Sequence, residues 1–246
     1  MLAFDIETTG LDGSKHLVTV VSTENYHTGE RISYEFDRVR KEEPQNLGKL
    51  REDLVQAFNA ATSLCAFNGI RFDIPFLRKA LRIDHDTVNA WIFKTTDILE
   101  ACRLGQFGPK HTFGLNLLCE HNGIKMKTSS GLEAIRMAHN NQWDRLRDYC
   151  VEDVRILCDL YRKKLLKNPR GHAQIDLTRI AHPDLYKTPI PDADVAKDPM
   201  QLEAAVEAVE AAEVVDPKDA QIAALQRQVA ELQARLKIYT DFCSCL

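Results

Sequence analysis

Three strand-like runs at the start of the chain constrain its fold more than any other feature of the sequence. They are Met1–Ile6, His16–Thr23 and Arg31–Phe36, all rich in Val, Ile, Phe and Tyr. Turns that contain Gly10 and Gly29 separate them. This succession predicts three neighbouring strands in an antiparallel meander.

Helical and strand-like segments alternate after the third run. Apolar residues at helical spacing predict a helix over Pro44–Ala61, and the run Ser63–Phe67 predicts a buried strand before a second helix at Arg71–Leu81. Further helices are predicted at Thr112–Asn122, Gly131–Asn140 and Trp143–Leu165, the last with the strongest periodicity. The whole order predicts a mixed sheet covered by helices.

The composition changes near residue 186. Beyond Tyr186 the only aromatic residues are Tyr239 and Phe242, which is too few large side chains for a separate core. We therefore predict a folded domain over 1–186, a Pro-rich acidic linker over 187–200 and a helical tail over 201–246. Within the tail, apolar residues at alternating spacings of three and four predict a short coiled coil over 222–239. Its length suggests that it needs a second copy or a partner helix for stability.

Charge and cysteine usage exclude several classes of protein. A net charge of −4 argues against a strongly basic protein that coats duplex DNA. The acidity belongs to the tail, because residues 1–187 hold 27 basic and 25 acidic side chains. No apolar run is long enough to span a membrane, and the first residues lack a secretory signal, so we expect an intracellular protein of the cytoplasm or nucleus. The 7 cysteines form no CxxC pair, which favours reduced thiols over a disulfide framework or a zinc knuckle.

Four carboxylates and one tyrosine lie on three of the predicted elements. Asp5 and Glu7 are two residues apart on the first strand, so both project from the same face. Asp73 lies at the start of a helix that follows the buried strand. Tyr149 and Asp153 are four residues apart on the longest helix and share one of its faces.

These residues carry a resemblance to a known family. The segments Phe4–Gly10, Asn68–Asp73 and Tyr149–Asp153 resemble the three motifs of the DEDD 3′→5′ exonucleases, which have a ribonuclease H-like fold. A tyrosine four residues before the last acid is typical of the DEDDy branch. The first motif is most similar to the proofreading exonuclease domains of family B DNA polymerases and their free-standing relatives. The resemblance covers about residues 1–166 and implies a mixed five-stranded sheet, its first three strands antiparallel, flanked by helices.

The resemblance also implies a site for two Mg²⁺ or Mn²⁺ ions. Four clustered carboxylates need cations to stay ionised, and ligands with only hard oxygen donors favour these ions over zinc. By similarity to the family, Asp5 bridges both ions, Glu7 and Asp153 hold the ion nearer the nucleophile, and Asp73 holds the other largely through water. Tyr149 is implied to orient the attacking water.

Substrate contacts are implied at four further positions. The backbone of Thr8 and Thr9 would meet the terminal 3′-hydroxyl, and Asn68 and Phe72 would contact the last nucleotides, with the Phe72 ring stacking on a base. Core packing is an equally good interpretation of Phe72.

The sequence therefore predicts a two-metal 3′→5′ exonuclease that removes nucleoside 5′-monophosphates from single-stranded DNA. Its role would lie in repair, recombination or proofreading in trans, with a replication or repair partner. Two alternatives stay open. One is an exoribonuclease of the same fold, and the other is a catalytically idle nucleic-acid-binding scaffold that oligomerises through its tail.

Overall fold

The computed structural model describes residues 1–104, 114–125, 131–169 and 174–177. The strands in this part of the chain are β1 (Leu2–Thr8), β2 (Val18–Asn25), β3 (Arg31–Tyr34), β4 (Leu64–Ala66), β5 (Thr95–Asp97), β6 (Leu165–Lys167) and β7 (Gln174–Asp176). Its α-helices are α1 (Phe36–Glu42), α2 (Leu47–Ala60), α3 (Asp73–Leu81), α4 (His85–Phe93), α5 (Ile98–Leu104), α6 (Leu115–His121), α7 (Gly131–His139) and α8 (Trp143–Lys163). The predicted linker and helical tail, including the coiled coil over 222–239, lie outside the described residues.

Five of the strands form one mixed sheet in the order β3-β2-β1-β4-β5. Strand β1 pairs antiparallel with β2, and β2 pairs antiparallel with β3. Strands β1, β4 and β5 run parallel to one another. The predicted mixed five-stranded sheet with an antiparallel first half is confirmed. Strands β6 and β7 form a separate hairpin after α8.

Helices cover both faces of this sheet. Phe4 and Ile6 of β1 pack into an apolar cluster with residues of α2, α3 and α4. Ala3 points to the other face, where its cluster includes Val154 and Leu157 of α8. Because side chains alternate along a strand, Asp5 shares the α8 face with Ala3. The acids of β1 therefore project toward α8 and away from α2.

Several predicted boundaries differ from the observed ones for local reasons. Helix α8 ends at Lys163 and not at Leu165, because Lys164 has a left-handed φ of 60° and its N–H donates to the Tyr161 carbonyl. The predicted helix over Pro44–Ala61 is split into a short 3₁₀ turn and α2. The helix predicted from Arg71 begins at Asp73.

The periodicity of the sequence does not predict two of the helices or the fifth strand. They are α4, β5 and α5, which follow one another between His85 and Leu104. Strand β5 has three residues, which is too short to show a period-two pattern, and two of them are threonines. The start of α4 had a readable signal, since the side chain of Asp84 accepts the N–H of Thr87 as an N-cap.

Two expectations from the sequence concern membrane-spanning segments and the state of the cysteines. In the part of the chain described above, no helix combines the length and apolar character that crossing a membrane requires. The five cysteines within it, at positions 65, 102, 119, 150 and 158, are buried free thiols.

Candidate active site

Strand β1 presents the first two acids near its carboxyl end. Asp5 and Glu7 are both half-buried and lie on the face that α8 covers. The pairing of β1 with β2 shifts register between Glu7 and Thr8, so the regular ladder is interrupted immediately after Glu7. Bulges of this kind commonly redirect side chains next to functional sites.

The first residue of α3 reaches this part of β1. Oδ1 of Asp73 accepts the backbone N–H of Ile6 at 3.2 Å, which fixes the carboxylate between the positions of Asp5 and Glu7 along the strand. The Asp73 side chain is buried, with 4% relative exposure. The β4–α3 loop therefore positions a third acid next to the two acids of β1.

Helix α8 brings the fourth acid. Sγ of Cys150 lies 3.4 Å from the Asp5 carbonyl oxygen and 3.8 Å from Asp5 Oδ2, so this turn of the helix packs directly on the strand. Asp153 is three residues further along the helix and is buried. The charge of Asp153 raises the pKa of Asp73, so the fourth acid lies near the third. Asp5, Glu7, Asp73 and Asp153 therefore approach one another from three separate elements.

The crowding of these acids is visible in the pKa of Asp73. Burial first, then the charge of Asp97 and more weakly that of Asp153, raise this pKa to about 8, and hydrogen bonds from the backbone N–H groups of Asp73 and Ile6 lower it in part. A carboxyl group with a raised pKa stays protonated at neutral pH unless a cation takes the place of the proton. The crowded acids therefore favour binding of a cation at this site.

The donor atoms suit a hard divalent cation. One ligand atom each from Asp5, Glu7 and Cys150 lies within 4.8 Å of the others. Burial and the charges of Asp5 and Glu7 raise the pKa of the Cys150 thiol well above its usual value. The thiol is therefore protonated and donates a hydrogen bond to Asp5. The carboxylate oxygens remain as metal ligands, and these are the ligands that Mg²⁺ and Mn²⁺ prefer.

The raised pKa of Asp73 leads to a pH-dependent prediction for cation binding. Below about pH 8 the carboxyl is mainly protonated, so an ion must displace a proton. We expect the apparent Mn²⁺ affinity in calorimetric titrations to rise by up to about tenfold per pH unit and to level off above about pH 8. Asp73→Asn should flatten this dependence. An affinity for the wild type that does not change with pH over this range would contradict the prediction.

Asp97 is a buried acid that the sequence interpretation missed. Its Oδ1 accepts the N–H groups of Asn68, Leu99 and Glu100 at 2.9, 3.0 and 3.2 Å, and its Oδ2 accepts the N–H of Ile70 at 3.0 Å. It therefore ties the 68–70 loop to the start of α5 and positions the segment that leads to Asp73. The signal for it was weak, because a single acid after two threonines belongs to none of the three motifs.

Backbone shape explains why the 68–70 loop needs this support. Asn68 has a left-handed φ of 64°, which few residue types tolerate. At Gly69, an added Cβ would overlap the Cβ of Ala66. The carbonyls of Asn68 and Gly69 accept the N–H groups of Phe72 and Ile74, which starts α3.

The residues predicted to contact substrate lie around the acids in different environments. The N–H of Thr9 donates to the Leu17 carbonyl at 2.9 Å, and the hydroxyl of buried Thr8 donates to the Gly10 carbonyl at 2.6 Å. Both groups are therefore engaged within the β1–β2 connection.

Phe72 and Tyr149 are largely enclosed by apolar neighbours. The ring of Phe72 is half-buried and lies 4.9 Å from the ring of Phe76. Tyr149 has 6% relative exposure and packs in a cluster with Val20 and Met137, one turn before Asp153 on α8. Packing accounts for much of both side chains, and their predicted contacts with nucleotide or water stay predictions.

The fold is that of a ribonuclease H-like domain, and comparison with known families agrees. A family model described as the RNase_H superfamily matches residues 2–165, and the chain belongs to this superfamily. The match contains all three segments that carry the acids. Membership supports a nuclease function and a nucleic-acid substrate.

Solved structures with similarity to the chain include a polymerase and a nuclease. The family B DNA polymerase from the hyperthermophilic archaeon Pyrobaculum calidifontis has 19% sequence identity and a TM-score of 0.49, over 66% of this chain and 24% of the polymerase. A structure described as the apo form of a nuclease has 21% identity and a TM-score of 0.46, over 66% of this chain and 70% of that one. Comparison with curated proteins gives no significant match.

Proposed function

We propose that the chain is a two-metal 3′→5′ exonuclease that removes nucleoside 5′-monophosphates from the 3′ ends of single-stranded DNA. The observation that carries the proposal is the meeting of four acids from β1, α3 and α8. The carboxylate oxygens of Asp5 and Glu7, which lie close together, suit Mg²⁺ or Mn²⁺, and the family supports a nuclease.

The four acids have the same task in this proposal, which is to hold cations beside the scissile phosphodiester. Bound there, two divalent ions would lower the pKa of an attacking water and stabilise charge on the leaving 3′-oxygen. Asp5 lies at the centre of the arrangement, since Cys150 contacts it from α8 and Asp73 binds the next residue of the strand. By the family resemblance, Asp5 would serve both ions, Glu7 and Asp153 would hold the ion nearer the attacking water, and Asp73 would hold the other largely through water.

Tyr149 fits the proposal as a group that orients water. It lies one turn before Asp153 on the same helix face, and its ring is fixed by the apolar cluster around it. The O–H of a phenol can hold a water by hydrogen bonding, and a phenol is a poor base at neutral pH.

The test is cleavage of a short single strand labelled at its 5′ end. We expect the full-length protein with Mg²⁺ or Mn²⁺ to give a ladder of progressively shorter labelled products, and a chelator to stop the reaction. The same strand with a blocked 3′ end is the control for direction, because an exonuclease of this polarity needs a free 3′-hydroxyl. Cleavage of the blocked strand at internal positions would contradict the exonuclease assignment.

A matched RNA strand separates the alternatives. Faster degradation of RNA than of DNA would favour the exoribonuclease, since the 2′-hydroxyl is the group that differs. Binding of either strand without any cleavage would favour the idle scaffold and would overturn the proposal.

A further inference from the structure

A buried glutamate near the acids holds two arginines. Oε1 of Glu100 accepts Nε of Arg71 at 2.6 Å and a terminal guanidinium nitrogen of Arg103 at 2.8 Å. Glu100 has 3% relative exposure, whereas the side chain of Arg71 is 59% exposed. Two arginines thus share one buried carboxylate, and Arg71 is the more exposed of the two.

The topology places this cluster at the same sheet edge as the acids. Arg71 lies in the loop that follows β4, two residues before Asp73. Glu100 lies in the first turn of α5, directly after β5. Because β1, β4 and β5 are parallel, their carboxyl ends meet at one edge, which is where open α/β sheets bind their ligands.

A cation is needed at this edge if a nucleic-acid strand binds there. The carboxylates repel a polyanion, and bound ions compensate only the phosphate that they contact. An arginine fork matches the geometry of a phosphate, and an arginine already held by a carboxylate loses less conformational entropy on binding. Glu100 supplies this restraint through the Nε edge of the Arg71 guanidinium.

We propose that Arg71 is a substrate-binding residue that contacts a phosphodiester of the bound strand other than the scissile one. Glu100 is a positioning residue that holds Arg71 in place. Glu100 of α5 holds the Arg71 guanidinium, and in this proposal the acids of β1 take the scissile phosphate while Arg71 takes a neighbouring one. The inference rests on the proposed function and adds a contact that only a strand with more than one phosphodiester can make.

Two substrates separate this contact from the reaction centre. The first is a fluorescent single strand, whose binding to the full-length protein is followed by anisotropy at several salt concentrations. The second is the p-nitrophenyl ester of thymidine 5′-monophosphate, which offers one phosphodiester and no further phosphate. For Arg71→Gln we expect about tenfold weaker strand binding and a salt slope reduced by about 0.7. Hydrolysis of the ester should fall by much less than strand binding, because the ester lacks the phosphodiester that Arg71 contacts.

Two control variants accompany this experiment. Lys49→Gln removes one exposed positive charge from α2, which covers the opposite face of the sheet, and should leave both readouts unchanged. Arg71→Lys keeps the charge but lacks the fork, so it should restore the salt slope and only part of the affinity.

Each other outcome is informative. Unchanged strand binding by Arg71→Gln, or an equal loss of ester hydrolysis together with a lower melting temperature, would overturn the inference. A wild type that hydrolyses neither substrate would instead refute the proposed nuclease function. In that case the anisotropy series would still decide whether Arg71 binds the strand.

Discussion

Asp5→Asn is expected to reduce metal-dependent cleavage of a single strand by about a thousandfold or more, equivalent to about 4 kcal/mol of transition-state stabilisation. The substitution keeps the size of the side chain and an oxygen that can accept from Cys150. It removes the charge at the centre of the four acids. The measurement is the rate of product formation at saturating Mg²⁺, with the wild type assayed in parallel.

Stability without metal provides the control for this variant. Because the acids repel one another, neutralising one of them should leave the melting temperature in chelator unchanged or raise it. Asp53→Asn neutralises an exposed carboxylate of α2 and should leave the rate unchanged. If Asp5→Asn cleaved at a rate close to that of the wild type, the metal site would have to be placed elsewhere.

Asp97→Ala is expected to lower the free energy of unfolding by about 3–4 kcal/mol, because it leaves four N–H groups, three of them buried, without their acceptor. Part of this loss is offset, since burial raises the pKa of Asp97 and its removal relieves repulsion of Asp73. Urea unfolding followed by circular dichroism measures the change. Cleavage activity should fall as well, because the loop that leads to Asp73 loses its support.

Two other variants define what Asp97 contributes. Asp97→Asn keeps an oxygen for the three N–H groups at Oδ1 but places an NH₂ group opposite Ile70, so its loss should be intermediate. Asp84→Ala removes an exposed N-cap of α4 that accepts from Thr87, and should destabilise the protein less than either variant. Equal losses from Asp84→Ala and Asp97→Ala would show that Asp97 is only a helix cap.

The sequence predicted the sheet and the converging acids because both leave periodic or closely spaced signals. Asp5 and Glu7 alternate with Phe4 and Ile6, so their shared face follows from strand geometry alone. The start of α8 was predicted at the observed residue, Trp143, and its end was predicted two residues too late because Lys164 has a left-handed φ.

The sequence did not reveal contacts that join distant segments through the backbone. Asp97 binds N–H groups about 30 residues earlier in the chain, and such groups carry no residue-specific signal. Cys150 was assigned only as a reduced thiol, yet it packs directly on Asp5. The same limit applies to Arg71 and Glu100, which are 29 residues apart and meet because β4 and β5 are adjacent.

The crowded turn at Asn68 and Gly69 has a consequence for how such a chain can vary. If codons 68 to 70 were randomised and folded variants selected, Gly69 should return almost alone, because any larger residue overlaps Ala66. Position 68 should return chiefly Asn, Asp and Gly, since these residues best tolerate its φ. Part of the residue preference in this short motif would then be set by the shape of the backbone bend. Only the remaining preference would be set by catalysis.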